Sequence, residues 1–105
     1  MRVALISDIH GNELALRAVL ADIAADGIGR VACLGDVATL GPRPGAVLDL
    51  IESLGCPCIM GNHDEFLLDE SLLRTYSEVP LVVDAVKWCS EQITDRQRGF
   101  LRSFQ

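Results

Sequence analysis

The sequence predicts an α/β fold: a β-α-β-α-β run forming a parallel sheet flanked by helices, followed by C-terminal helices. Three observations carry this. Short apolar runs at residues 3–7, 30–34 and 57–60 have the length of buried strands. Two longer segments between them place apolar residues at helical spacing. Each of those segments stops at a glycine, Gly27 and then Gly55. Strand–helix–strand alternation lays successive strands side by side and parallel.

Taken in order, residues 3–7 form the first strand. Asn12 caps a helix over residues 13–25, with Leu16, Val19, Leu20 and Ile23 as its inward stripe. Residues 30–34 form the second strand, and Gly41-Pro42-Arg43-Pro44 reads as a loop. Pro44 opens the next helix, since its ring presets the first helical turn. Val47, Leu50, Ile51 and Leu54 share one face of that helix. Residues 57–60 form the third strand. After Asp64 the pattern weakens, and residues 66–77 read as irregular or weakly helical. Residues 81–92 predict a helix. Thr94, with Gln97 three residues on, reads as a capping box for a last helix over 95–103 that buries Phe100, Leu101 and Phe104. A chain of 105 residues suits a single domain spanning 1–105.

Composition narrows the function. Fifteen acidic residues against nine basic ones give a net charge of −6, which argues against nucleic-acid binding through a basic surface. A small phosphate compound stays compatible, because metal ions can supply the positive charge. The apolar start is too short for a secretory core and runs into Asp8, and no stretch approaches a membrane span. Cys33, Cys56, Cys58 and Cys89 form no C-x-x-C pair. They read as small buried thiols in a reducing cytoplasm.

The polar residues gather at the ends of the strands. Strand one runs into "SDIHGN", with Asp8 and His10; residues two apart on an extended chain point the same way. Strand two runs into "LGDVATLGP", with Asp36. Strand three runs into "IMGNHDE", with Asn62, His63 and Asp64. Ligands of open parallel sheets bind at the C-terminal strand edge. Gly11, Gly35, Gly41 and Gly61 flank the clusters and permit close backbone approach. Each residue alone reads as a cap, a turn former or a satisfied side chain. Three such clusters at three successive strand ends point to a metal site. Its oxygen and nitrogen donors suit Mn, Fe, Zn or Ni.

"DIHGN" at 8–12, "GDVATLGP" at 35–42 and "GNHD" at 61–64 resemble the calcineurin-like metallophosphoesterase superfamily in order and spacing. "GPRP" and the tail "WCSEQITDRQRGFLRSF" are most similar to its small bacterial branch of phosphodiesterases and diadenosine tetraphosphatase-like proteins. The resemblance implies roles. Asp8 and His10 would bind a first divalent transition metal, Mn²⁺ foremost, with Fe, Zn or Ni as alternatives. Asp36 would bridge to a second metal, and Asn62 would bind that second metal. His63 would serve as proton donor or charge stabiliser for the leaving group, oriented by Asp64. Two metals about 3.5–4 Å apart would clamp a small phosphoester substrate and activate water to hydrolyse it.

The superfamily carries further histidines downstream, one alone and then a G-H-x-H motif. This chain has two histidines, both already used. The resemblance therefore covers an N-terminal half with the second sheet missing. It predicts one ion at Asp8, His10 and Asp36, with the second position weak or empty. One apolar sheet face or edge is expected to lie uncovered, which favours self-association. The alternative is a non-catalytic metal-binding or self-associating module that keeps the fold's first half. A haloacid-dehalogenase-like phosphotransferase would need an aspartate where His10 stands.

Overall fold

The computed structural model describes residues 1–105. Its elements run β1 (Ala4–Ile6), α1 (Glu13–Ala25), β2 (Val31–Cys33), α2 (Pro44–Leu54), α3 (Asn62–Leu68), α4 (Glu70–Tyr76), α5 (Pro80–Gln92) and α6 (Asp95–Arg102). This is the α/β half-fold that the sequence predicts. β1 and β2 pair in parallel, with Ala4 opposite Val31, Leu5 opposite Ala32 and Ile6 opposite Cys33.

The expected third strand contracts to a single parallel bridge between Cys33 and Cys58. Two hydrogen bonds make it, Cys33 N–H to Pro57 O at 2.9 Å and Ile59 N–H to Cys33 O at 2.8 Å. Pro57 has no N–H to extend the ladder, and the chain turns into α3 directly after Gly61. The other side of this segment pairs with Gln105, whose N–H reaches Cys58 O at 3.0 Å and whose carbonyl receives Met60 N–H at 2.8 Å.

Local signals place most helix ends. Asn12 Oδ1 accepts Ala15 N–H at 3.0 Å and starts α1. Gly55 closes α2 in the left-handed region at φ 61°. The capping box of α6 forms in both directions: Thr94 N–H donates to Gln97 Oε1 at 2.8 Å, and Gln97 N–H donates to Thr94 Oγ1 at 3.2 Å. The Gln97 amide also donates to Gly45 O and to Asp49 Oδ1, which ties α6 to α2.

The segment expected to be irregular or weakly helical forms two short helices. Asn62, His63 and Asp64 form the first turn of α3, and α4 follows after Asp69. Each helix has seven residues, too short to hold by propensity alone. Buried Phe66, Leu67 and Leu73 hold them by packing. α5 begins at Pro80, one residue ahead of the apolar pattern, because proline fits a helix's first turn.

The core gathers Ile6, Cys33, Val47, Leu48, Ile51, Val86 and Leu101 between the sheet and the helices. Of the predicted α1 stripe, Leu16 is buried, Leu20 and Ile23 are half-buried, and Val19 is exposed. Leu101 and Phe104 are buried as expected, with Phe100 half-buried edge-on to Phe104. Strand alternation turns the remaining apolar side chains to the opposite face. There Val3 is 44%, Leu5 65%, Leu34 39% and Ile59 50% exposed. One sheet face is therefore covered by helices, and the other presents an apolar row to solvent.

All four cysteines are free. Burial pushes the thiols of Cys33, Cys58 and Cys89 up from their ordinary range. No helix is long and apolar enough to cross a membrane.

Candidate metal centre

The loops after β1 and β2 are zipped together by backbone hydrogen bonds. Asp8 N–H reaches Gly35 O at 3.0 Å, His10 N–H reaches Asp36 O at 3.1 Å, and Gly11 N–H reaches Val37 O at 2.8 Å. Within this pairing Asp8, His10 and Asp36 take left-handed backbone conformations, at φ 55°, 49° and 57°. Such a conformation costs a non-glycine residue on the order of 1–3 kcal/mol and persists only where the surroundings over-determine it. The extended geometry expected for Asp8 and His10 is therefore replaced by a coiled loop. The two side chains converge all the same, with His10 Nε2 3.5 Å from Asp8 Oδ1. Ser7 hydroxyl donates to Asp8 at 2.5 Å and, with His10 nearby, holds that carboxyl below its ordinary range.

Asp36 completes the group. One ligand atom from each of Asp8, His10 and Asp36 lies within 4.8 Å of the others. Two carboxylates and an imidazole supply hard and borderline donors, and their spacing fits a single divalent transition-metal ion with small inward adjustment. The three candidate ligands all take this left-handed backbone, and Leu40 at φ 73° is the one other non-glycine residue that does.

The third cluster is bound to the second. Asp64 has no solvent exposure. Its Oδ2 accepts Asp36 N–H at 2.9 Å and Gly61 N–H at 2.8 Å, while Oδ1 accepts Val37 N–H at 3.0 Å. Burial pushes its pKa up, and the three amides act against that shift. Asp36 Oδ1 in turn accepts His63 N–H at 3.0 Å at the start of α3. Gly61 is required here: a Cβ would run into the Asp36 carboxylate and come within 2.8 Å of Asp36 N. Asn62 is exposed at the same helix start, between Gly61 and His63.

His63 is 7% exposed. Its ring meets His10 edge-on at 5.1 Å between centroids, with Phe66 at 5.0 Å and Tyr76 at 5.5 Å on its other sides. Burial holds its pKa below the ordinary histidine value, against the pull of Asp36. The expected orienting partner was Asp64. Instead the Asp64 carboxylate is taken up by backbone amides, and the ring nitrogen Nδ1 lies 2.8 Å from Thr39 Oγ1. Asp64 fixes the helix turn that carries His63, and its charge pulls the imidazole pKa upward. Thr39 was not singled out in the sequence; its one signal was a polar residue inside "DVATL", and nothing local separated it from a turn residue.

A parallel sheet whose strand-end loops gather two aspartates and a histidine marks an α/β protein built around a candidate metal centre. The profile of the calcineurin-like phosphoesterases matches residues 1–98, and the chain belongs to that family. An uncharacterized protein of Methanocaldococcus jannaschii is 38% identical over 101 residues, covering 96% of this chain and 41% of that protein. Among crystal structures, a metallophosphoesterase from Sphaerobacter thermophilus superposes over 100% of this chain and 41% of its own, with TM-score 0.80 and 31% identity. A candidate diadenosine tetraphosphatase superposes over 97% of this chain and 42% of its own, with TM-score 0.63 and 27% identity. The chain thus spans about two-fifths of the length of each of these relatives.

Proposed function

We propose that this chain carries the first half of a metal-dependent phosphoester-hydrolysing centre. The observation that supports it most is the convergence of Asp8, His10 and Asp36 on one point, within 4.8 Å, on the loops that follow β1 and β2. In this reading Asp8 and His10 would hold the first divalent ion and Asp36 would serve both ions. Asn62, at the start of α3, serves the second. A bound divalent ion supplies charge to neutralise phosphate oxygens and acidifies water. Mn²⁺ is the first choice, with Fe, Zn and Ni as alternatives. His63, buried beside His10, would donate a proton to the leaving oxygen or stabilise its charge. Asp64 holds the turn that aims it. The substrate class is a small phosphoester. The four free thiols support a reducing cytoplasm. The exposed row of Val3, Leu5, Leu34 and Ile59 supports self-association through the bare sheet face.

The test is a calorimetric titration of the metal-free chain with Mn²⁺, with Asp36→Asn as control. Binding that is lost in Asp36→Asn is expected, and a stoichiometry near two supports the binuclear arrangement. Turnover of bis(p-nitrophenyl) phosphate that disappears in the same variant supports the hydrolase. Metal binding without turnover would favour the non-catalytic module. Absence of binding at any concentration up to millimolar would refute the metal centre.

A further inference from the structure

We infer that Thr39 is a positioning residue that sets the tautomers of both histidines, so that His10 presents Nε2 as a lone pair and His63 presents Nε2–H as a donor. The inference rests on the proposed metal centre for its use, but its geometry stands apart from it. Thr39 is fully buried in the loop between β2 and α2. It meets His10 twice: Nδ1 lies 3.1 Å from Thr39 O and 3.3 Å from Thr39 Oγ1. It meets His63 once, with Oγ1 2.8 Å from Nδ1.

Donor and acceptor accounting then gives a direction. A backbone carbonyl only accepts, so His10 Nδ1 carries the hydrogen. In the neutral ring this leaves Nε2 unprotonated, and Nε2 is the nitrogen that faces Asp8 at 3.5 Å. A metal-binding imidazole whose other N–H is held by a carbonyl is fixed in both tautomer and ring orientation. The same His10 N–H leans on the Thr39 hydroxyl oxygen, which leaves the hydroxyl hydrogen for the closer contact, His63 Nδ1. His63 Nδ1 therefore accepts, and its own hydrogen sits on Nε2. The opposite direction fails locally. With a hydrogen on His63 Nδ1 as well, Thr39 Oγ1 would accept from both rings and leave its own buried hydrogen without an acceptor among its partners. The chain runs one way, from His10 Nδ1–H through Thr39 Oγ1–H to His63 Nδ1.

One hydroxyl thus couples two rings that lie edge to face, 84° apart. The Thr39 carbonyl holds His10 with its Nε2 lone pair toward the candidate ligand cluster, and the hydroxyl holds His63 with Nε2–H as a hydrogen-bond donor. A threonine suits this task because a buried hydroxyl accepts and donates at once.

The test uses the whole chain labelled with ¹⁵N-histidine, metal-free, at about pH 8, where an ordinary histidine is neutral. Long-range ¹H–¹⁵N spectra read each tautomer in the wild type, Thr39→Val and Thr39→Ser. The wild type is expected to show His10 as Nδ1–H and His63 as Nε2–H, with His63 Nδ1 shifted as a hydrogen-bonded acceptor. In Thr39→Val the His63 Nδ1 signal should move to that of a free ring nitrogen. His10 should keep its tautomer, because the backbone carbonyl remains. Thr39→Ser should restore the wild-type His63 signal, which a purely space-filling role would not require. Zn²⁺ affinity should fall by less than about tenfold in Thr39→Val, the lower end of the range for losing an outer partner of a metal ligand. His63 as Nδ1–H, His10 as Nε2–H, or an unmoved His63 signal in Thr39→Val would each overturn the inference. The wild-type spectrum decides the donor directions even if Thr39→Val fails to fold. A Zn²⁺ titration that leaves His10 Nε2 unmoved would overturn the metal centre and the use assigned to His10 with it, whatever the hydroxyl does.

Discussion

Asp64→Ala should loosen the junction between the second and third loops and cost a large share of the chain's stability. The carboxylate accepts three backbone N–H groups, from Asp36, Gly61 and Val37. A buried donor left without an acceptor costs about 1–3 kcal/mol. The Val37 bond is fully buried and takes that cost entire, while the other two are part-buried and recover some of it from water. Removing the charge also relieves the burial that pushes the Asp64 pKa up. The net loss is expected at about 2–4 kcal/mol, set against a total of roughly 5–15 kcal/mol for a small domain. Asp64→Asn keeps the shape but turns an NH₂ group toward at least one of the same amides, for a loss of about 1–3 kcal/mol. Urea unfolding followed through Trp88, the single tryptophan, gives the difference from the midpoint at constant slope. Hydrogen exchange at Val37 should rise in parallel. An Asp64→Ala midpoint within about 0.5 kcal/mol of the wild type, the range of an ordinary surface change, would show that these three bonds do not hold the junction.

Other consequences are more direct. Gly61→Ala places a methyl group against Asp36, so Mn²⁺ affinity should fall by at least about tenfold, as for loss of a metal ligand's support; calorimetry showing unchanged affinity would contradict the close approach. Iodoacetamide should label half-buried Cys56 first in the native chain and reach Cys33, Cys58 and Cys89 only in denaturant. Equal native labelling of all four, read by mass spectrometry, would contradict the burial described. Thr94→Ala removes one half of the α6 capping box and should cost about 1 kcal/mol, measured by the urea midpoint; no change would mean that Gln97's bonds to Gly45 and Asp49 hold the helix start unaided.

Parts of the fold declare themselves locally. Asn12 at the start of α1, Pro44 and Gly55 at the ends of α2, and the Thr94–Gln97 box before α6 lie in the sequence as in the structure. A cap bonds to a residue two or three positions away, so a short window contains the whole interaction. The donor types of the candidate site were equally plain, because Asp8, His10 and Asp36 each follow an apolar strand-length run.

α3 and α4 were not plain. Seven-residue helices carry too few turns for a periodic stripe, and only packing of Phe66, Leu67 and Leu73 decides them. The third strand failed in the other direction: "CPCIM" has strand composition, but Pro57 and the turn at Gly61 leave one bridge.

What the sequence by itself determined is the order of the elements, their caps and the chemistry available at each strand end. What only the tertiary structure decided is how those ends meet. The left-handed turns at Asp8, His10 and Asp36 are held by hydrogen bonds between separate loops. Asp64 spends its carboxylate on amides up to 28 positions away, and Thr39 reaches His10 29 positions back and His63 24 positions on. Bonds of that span exist only after the strands have paired, so no local pattern of residues can encode them.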